Sequence, residues 1–267
     1  MNEVGFNGEF ERLRLRHGAL RERVANEIEM YTHLVTTKGP NIEAKYMMLV
    51  GQLECQAMAL DMTARRWKRR FALRQMYVNR GEKPDLVAIE SLLDGEFAEW
   101  KEKIAALATK LDGSKIRFDA TKMSEADTNA IRCEYLNAVK KLHPDLNRNL
   151  SEAAKNLWDQ IQKAYSAKDW SQLKFLVSLV DEVIAGTAEF NATPDGLEEL
   201  KAACERLEEK SREVSRQIAE LKANPPFTYE VLLDDPVLLE RKRTALMEKM
   251  RTLRSAIEKY ERRWNNG

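Results

Sequence analysis

Apolar residues recur at alternating steps of three and four along most of this chain, and this spacing constrains the fold most strongly. The pattern is cleanest near the C-terminus, where it continues over more than three heptads and is typical of a coiled coil. Its members there are Leu197, Leu200, Cys204, Leu207, Ser211, Val214, Ile218 and Leu221. Only 11 glycines and 7 prolines occur in 267 residues, and 33% of the residues are charged, which favours long helices with charged faces. We therefore predict an all-α fold.

Two further long helices are predicted before the middle of the chain. The first covers about residues 6–36 and the second about residues 41–79, with apolar residues at the same steps. Between them, a Lys-Gly-Pro-Asn stretch at residues 38–41 places glycine and proline where helices commonly end. Because this connection is short, we expect the two helices to pack antiparallel as a hairpin.

The predicted breaks divide the chain into four parts. They are an N-terminal long helical hairpin at residues 1–82, a linking helix and connector at residues 83–122, a central helical domain at residues 123–188, and a C-terminal antiparallel coiled-coil hairpin at residues 193–267. The linking helix is expected to end near residue 111, and the connector after it is expected to be extended at Ile116 and Phe118. The last helix, which begins at Val237, is expected to fold back on the heptad helix.

The centre of the chain, residues 131–169, is predicted to form two helices joined by a tight polar loop. Each helix has one apolar face, made by Tyr135, Ala138, Val139 and Leu142 on the first and by Leu157, Ile161, Ala164 and Tyr165 on the second. Pro144 disfavours helical geometry at His143, so the first helix should end just before it. Ser151 can cap the second helix. The two antiparallel helices should therefore present His143, Pro144 and Asp145 at the exposed tip of their connection.

This stretch resembles the J-domain of DnaJ-type co-chaperones, whose hallmark is His-Pro-Asp between two helices. The likeness covers about residues 128–169 and includes more than the tripeptide. Tyr135 stands eight residues before His143, and Asn147 stands two residues after Asp145. The loop length matches the family without a gap. The alternative interpretation of the tripeptide is a surface turn in an ordinary helical hairpin, which periodicity and loop length favour less.

The resemblance implies that the protein docks on a DnaK-type chaperone, of the seventy-kilodalton heat-shock family, and stimulates its ATPase. The partner-binding residues that it implies are His143, Pro144, Asp145, Lys140, Lys141 and Asn147. The tripeptide would contact the chaperone, and the lysines would face an acidic patch and raise the association rate. A proline-stiffened loop loses less conformational entropy on docking. The helical arms would then select a client protein or a location.

Three departures from the family reduce the positive charge around the loop. Leu136 and Asn137 stand where two basic residues usually follow the tyrosine, and Leu146 stands where a lysine usually follows the aspartate. The glycine-rich and zinc-binding regions of full-length DnaJ are absent. These departures support a second hypothesis, a coiled-coil structural adaptor whose J-like hairpin makes no contact with a chaperone.

Composition narrows the remaining function classes. The net charge of +1 provides no general attraction to nucleic acid, and we interpret the one basic cluster, residues 65–70, as a solvated helix face rather than a nucleic-acid site. The chain has no apolar run of membrane-spanning length and no signal-peptide pattern. Its three cysteines are far apart, which indicates reduced thiols and a cytoplasmic protein. No motif indicates catalysis, a metal or a cofactor, so we expect a binding protein whose arms contact a client or a second copy of the chain.

Overall fold

The computed structural model describes residues 3–119, 124–147, 149–184, 190 and 192–265. Most of these residues are helical and none of them lies in a β-strand, which confirms the all-α class. By its internal contacts the chain divides into two compact units. The first contains Met1–Pro40 and Thr121–Pro225, and the second contains Asn41–Ala120 and Pro226–Gly267.

The helices follow one another with short connections. In chain order they are α1 (Glu3–His33), α2 (Gly39–Tyr46), α3 (Gln52–Asn79), α4 (Leu86–Glu96), α5 (Ala98–Asp119), α6 (Glu125–Leu142), α7 (Glu152–Ala167), α8 (Trp170–Ser178), α9 (Val180–Val183), α10 (Pro194–Ala223), α11 (Glu230–Asp234) and α12 (Pro236–Asn265). The π-helical turns Leu34–Lys38 and Met47–Gly51 join α1 to α2 and α2 to α3, and the 3-10 turn Phe227–Tyr229 precedes α11.

The backbone is helical without interruption through α1, α2 and α3, so the break predicted at residues 38–41 is wrong. Gly39 has right-handed helical dihedral angles, φ −57° and ψ −54°, and its N–H donates to the carbonyl of Leu34 across the π-helical turn. In a regular α-helix the ring of Pro40 would clash with the carbonyl four residues earlier. A wider π-helical turn directly before it displaces that carbonyl, so the helix continues past the proline.

In the first unit, α1 packs against α10 and α6. The α1–α10 pairing is parallel, because Phe10 clusters with Leu197 and Leu200 and Arg16, further along α1, pairs with Glu208 further along α10. The apolar stripe predicted on α10 forms the buried face of that helix. Its buried members are Leu197, Leu200, Cys204, Leu207, Ser211, Val214 and Ile218.

In the second unit, α3 packs against α12, and this pairing is also parallel. Lys242 lies 3.0 Å from Glu54, and Lys249 lies 3.8 Å from Asp61, about two turns further along both helices. Parallel partners replace the antiparallel hairpins predicted at residues 1–82 and 193–267, and each of those stretches is divided between the two units.

The linking region at residues 83–122 begins with two helices rather than one helix and an extended connector. Phe97, with φ −105° and ψ 8°, separates α4 from α5, and its ring joins the buried cluster of Leu73, Ile89 and Leu93. The break between the two helices thus coincides with a residue whose ring is buried. The predicted extended conformation at Ile116 and Phe118 is wrong, because α5 continues to Asp119.

The central helices α6, α7, α8 and α9 pack on one another within the first unit. Each of the first two begins at a serine cap: the N–H of Asp127 donates to Ser124 Oγ at 3.1 Å, and the N–H of Ala154 donates to Ser151 Oγ at 3.1 Å. The cap predicted at Ser151 is therefore confirmed. The predicted apolar faces of α6 and α7 are buried. The region predicted as a separate domain, residues 123–188, shares its unit with α1 and α10.

Candidate partner-binding site

The candidate site is the loop between α6 and α7. α6 ends at Leu142. The next residue, His143, takes an extended conformation, φ −67° and ψ 128°, as expected for a residue before proline. The two helices run antiparallel, because Trp158 lies against His143 at the loop end, with ring centroids 5.2 Å apart, while Tyr165 stacks on Tyr135 at 4.0 Å further down. The hairpin predicted for residues 131–169 is therefore present.

The three residues of the tripeptide differ in exposure. Pro144 and Asp145 are exposed, as predicted, but the His143 side chain retains only 15% of its exposure. The N–H of Asp145 donates to His143 Nδ1 at 3.1 Å. Burial lowers the pKa of His143, although the Asp145 carboxylate acts in the opposite direction. His143 is therefore neutral, with Nδ1 accepting a bond and Nε2 carrying the proton.

The Nδ1 atom of His143 also lies 3.9 Å from Asp145 Oδ2, a distance that would count as an ion pair if the imidazole were charged. We do not assign one, because an Nδ1 atom that accepts the Asp145 amide proton has no proton of its own to donate. The Asp145 carboxylate therefore receives no proton from His143 and can bind another group.

Asn147 builds the loop from within. Its side-chain amide donates to the carbonyls of Lys140 at 3.1 Å and of His143 at 3.2 Å, and its backbone N–H donates to the His143 carbonyl at 3.0 Å. These bonds satisfy carbonyls that the end of α6 would otherwise leave without partners. Asn147, predicted as a partner-binding residue, is half-buried and holds the loop in shape.

The two predicted basic residues at the end of α6 are both paired inside the chain. Lys140 Nζ lies 2.6 Å from Glu22 Oε2 on α1, and Lys141 pairs with Asp181 on α9. Both lysines remain partly exposed, so their ion pairs are weak surface interactions. A carboxylate of a partner protein could replace Glu22 or Asp181 in them.

Two further basic residues contact the loop, and sequence reasoning missed both. Lys210 on α10 places Nζ 3.0 Å from Asp145 Oδ2. Arg21 on α1 donates from Nη2 to Asn147 Oδ1 at 2.7 Å and to the Lys140 carbonyl at 3.2 Å. No local signal could have identified them, because neither the spacing nor the composition around them points to a loop that is distant in the chain.

An aromatic stack supports the loop from below. Trp158 is buried between His143 and Tyr135, with its ring 5.8 Å from that of Tyr135. Burial raises the pKa of the Tyr135 hydroxyl to about 12. Trp158 was also missed, although it lies three residues before Ile161 and seven before Tyr165, on the apolar face of α7.

Two of the three departures from the J-domain pattern, Leu146 and Leu136, occur where the chain packs on itself, whereas Asn137 is exposed. Leu146 is buried, with 8% of its surface exposed, so a lysine at this position would lose its hydration. Leu136 lies on the face of α6 that also carries Arg132 and Lys140, one turn away on either side, and both of those residues pair with α1. At Leu146 and Leu136 the missing charges are therefore replaced by internal packing.

Three arginines of the basic cluster at residues 65–70, in the second unit, are paired with acidic side chains of α4. The pairs are Arg66 with Glu90 at 2.7 Å and Asp94 at 2.9 Å, Arg69 with Glu96 at 2.7 Å, and Arg70 with Glu90 at 2.6 Å. Phosphate groups would have to displace these carboxylates to bind. This arrangement favours the predicted helix-face interpretation over a nucleic-acid site.

Within the described ranges, no group of three or more His, Cys, Asp or Glu residues is arranged to hold a metal ion. None of the helices in those ranges combines the length and the apolar character needed to cross a membrane. Comparison with models of known protein families, with curated proteins and with solved structures finds no match to this chain.

Proposed function

We propose that this chain is a cytoplasmic co-chaperone that recruits a DnaK-type chaperone through the loop between α6 and α7 and stimulates its ATPase. The observation that carries the proposal is a His-Pro-Asp turn at the end of a well-packed antiparallel hairpin, with Pro144 and Asp145 exposed. The helical arms, α1 with α10 and α3 with α12, provide long charged faces on which a client protein or a second copy of the chain would bind.

The geometry supports docking because the loop is already ordered. Pro144 fixes its own φ, Asn147 ties the loop to the last carbonyls of α6, and Trp158 supports His143 from below. A loop with so many internal restraints has little conformational entropy left to lose when a partner binds. Asp145 then offers a carboxylate for a charge-assisted bond, and the lysines of α6 add attraction once their internal pairs with Glu22 and Asp181 open.

The same geometry argues against a catalytic role for the histidine and aspartate. In a catalytic triad the carboxylate accepts a bond from the Nδ1–H of the histidine and thereby orients it as a base. Here Nδ1 of His143 accepts the backbone N–H of Asp145, and the carboxylate contacts Lys210 instead. This arrangement supports binding, rather than proton transfer, as the role of the pair.

The proposal is tested by single-turnover ATP hydrolysis on a DnaK-type chaperone from the same organism. The wild-type protein should accelerate hydrolysis, whereas His143→Gln should not. Pro144→Ala is a second variant whose side chain is exposed, so it should weaken stimulation without unfolding the hairpin. Asn149→Ala, also exposed and close to the loop, is the matched control and should behave as wild type. Equal rates for wild type and His143→Gln at saturating protein would exclude the proposal.

The structural adaptor is a second candidate, favoured by the internal pairing of Lys140, Lys141 and Asp145. In an adaptor these groups would serve only to hold α1, α9 and α10 on the hairpin. Capture of the chaperone by immobilised protein separates the two functions. Loss of capture in Asp145→Asn supports docking, and unchanged capture in that variant supports the adaptor.

A further inference from the structure

Lys210 forms an ion pair with the Asp145 carboxylate, which the proposed docking requires. Its ammonium group lies 3.0 Å from Asp145 Oδ2 and 3.1 Å from Glu213 Oε2, the latter one turn further along α10. Partial burial disfavours the charge, but the bonds to Asp145 and Glu213 outweigh it and raise the pKa of Lys210. Lys210 is therefore a charged group held beside the loop by two carboxylates.

Arg21 and Glu22 hold the same region from α1. The half-buried Arg21 guanidinium donates to the Asn147 side chain and to the Lys140 carbonyl, and Glu22 pairs with the Lys140 ammonium. One turn of α1 thus contacts both the end of α6 and the loop that follows it. A partner protein that binds Lys140 would have to displace the Glu22 carboxylate.

α1 also covers the face of α6 that leads up to the loop. Arg132, Leu136 and Lys140 lie on this face at steps of four. Glu29 of α1 receives two bonds from Arg132, at 2.7 and 2.8 Å, and Glu22 of α1 pairs with Lys140 at the other end. A chaperone approaching the loop along this face would meet α1 first.

From these contacts we infer that α1 and α10 form an intramolecular latch, made by Arg21 and Lys210, which holds the loop in a closed state and must open before the chaperone docks. The inference rests on the proposed function. It adds a regulatory step, because any event that separates Arg21 and Lys210 from the loop would increase the fraction of docking-competent molecules. A competent fraction below one raises the apparent dissociation constant in proportion.

The size of the effect follows from the exposure of the contacts. The Lys210 ion pair, which remains partly in water, changes an equilibrium constant by at most about fivefold, and the hydrogen bonds from Arg21 to neutral acceptors change it by a similar factor. We expect Lys210→Gln to lower the protein concentration for half-maximal ATPase stimulation about threefold, and Arg21→Gln with Lys210→Gln to lower it about tenfold. Lys222→Gln, an exposed lysine on α10, and Arg14→Gln, an exposed arginine on α1, are the matched controls and should leave it unchanged.

The result that overturns the latch alone is equal half-maximal concentrations for wild type and the double variant, while His143→Gln in either background abolishes stimulation. In that case the proposed function stands. Stimulation that survives His143→Gln in the double variant, or no stimulation by wild type or double variant, overturns both.

A second measurement tests the latch without any chaperone. Arg21 and Lys210 contact the side chains of Asn147 and Asp145, so hydrogen exchange at the backbone amides of Asp145, Leu146 and Asn147 reports how much these contacts slow the local fluctuations of the loop. The double variant should exchange faster at these amides than wild type, and the Lys222→Gln and Arg14→Gln controls should not. Unchanged exchange in a double variant with wild-type circular dichroism would overturn the latch whatever the ATPase assay shows.

Discussion

The ion pair between Glu29 and Arg132 provides the sharpest energetic test of how α1 is held on α6. Arg132 donates to both carboxylate oxygens of Glu29, at 2.7 and 2.8 Å. The Glu29 side chain is 7% exposed, whereas the Arg132 side chain is 32% exposed. Removal of Arg132 and removal of Glu29 should therefore lower the free energy of unfolding by different amounts, because the two groups that are left behind differ in their access to water.

We expect Arg132→Ala to lower the free energy of unfolding by about 3 kcal/mol, since it leaves a buried carboxylate without its partner. Glu29→Ala should lower it by about 2 kcal/mol, because the Arg132 guanidinium can reach solvent. The double variant should show a coupling energy of about 2 kcal/mol. The exposed pair of Glu152 and Lys155 on α7 is the control cycle, with an expected coupling below about 0.5 kcal/mol.

The assay is urea unfolding combined with native-state hydrogen exchange at the α6 amides, because two compact units can unfold in separate transitions. A coupling energy no larger than that of the control cycle would refute the reasoning. So would a larger cost for Glu29→Ala than for Arg132→Ala, since that order contradicts the burial of the two side chains.

Three further predictions concern the hairpin and its loop. Trp158→Ala should lower the free energy of unfolding by about 3 to 5 kcal/mol, because it removes a buried ring from the stack; urea denaturation of the variant measures it. Ser151→Ala should cost about 1 kcal/mol by the loss of the α7 cap, and Ser151→Thr should restore most of it in the same assay. Burial lowers the pKa of His143 below its ordinary value of 6.5, so the unfolded chain takes up protons first as the pH falls. The free energy of unfolding should therefore decrease as the pH falls through 6.5, and His143→Asn should reduce that slope when unfolding is measured at about pH 7.5 and about pH 5.5.

The hairpin could be predicted from the sequence because its determinants are local. Pro144 restricts His143, Ser151 caps α7, and the apolar faces repeat within a few turns of each helix. The burial of His143 was not predicted, since it depends on Trp158, whose orientation only the packed hairpin determines.

The arrangement of the long helices could not be predicted in the same way. Glycine and proline at residues 38–41 indicated a turn, but a π-helical turn accommodates the proline and the helix continues. Heptad spacing identifies the apolar face of a helix and not its partner, so the stripe on α10 was correct while its pairing was not. Arg21 and Lys210 reach the loop only because α1 and α10 pack as they do, which local patterns do not encode.

Direct binding of the ATP-bound chaperone tests the central claim, that the loop is a docking site for a DnaK-type ATPase. The measurement compares Lys210→Gln with the same chain that also carries His143→Gln, by calorimetric titration. The account predicts saturable binding of the first protein and loss of that binding in the second, with both retaining the same circular dichroism. Equal affinity of the two proteins for the chaperone, or binding by neither, would contradict it.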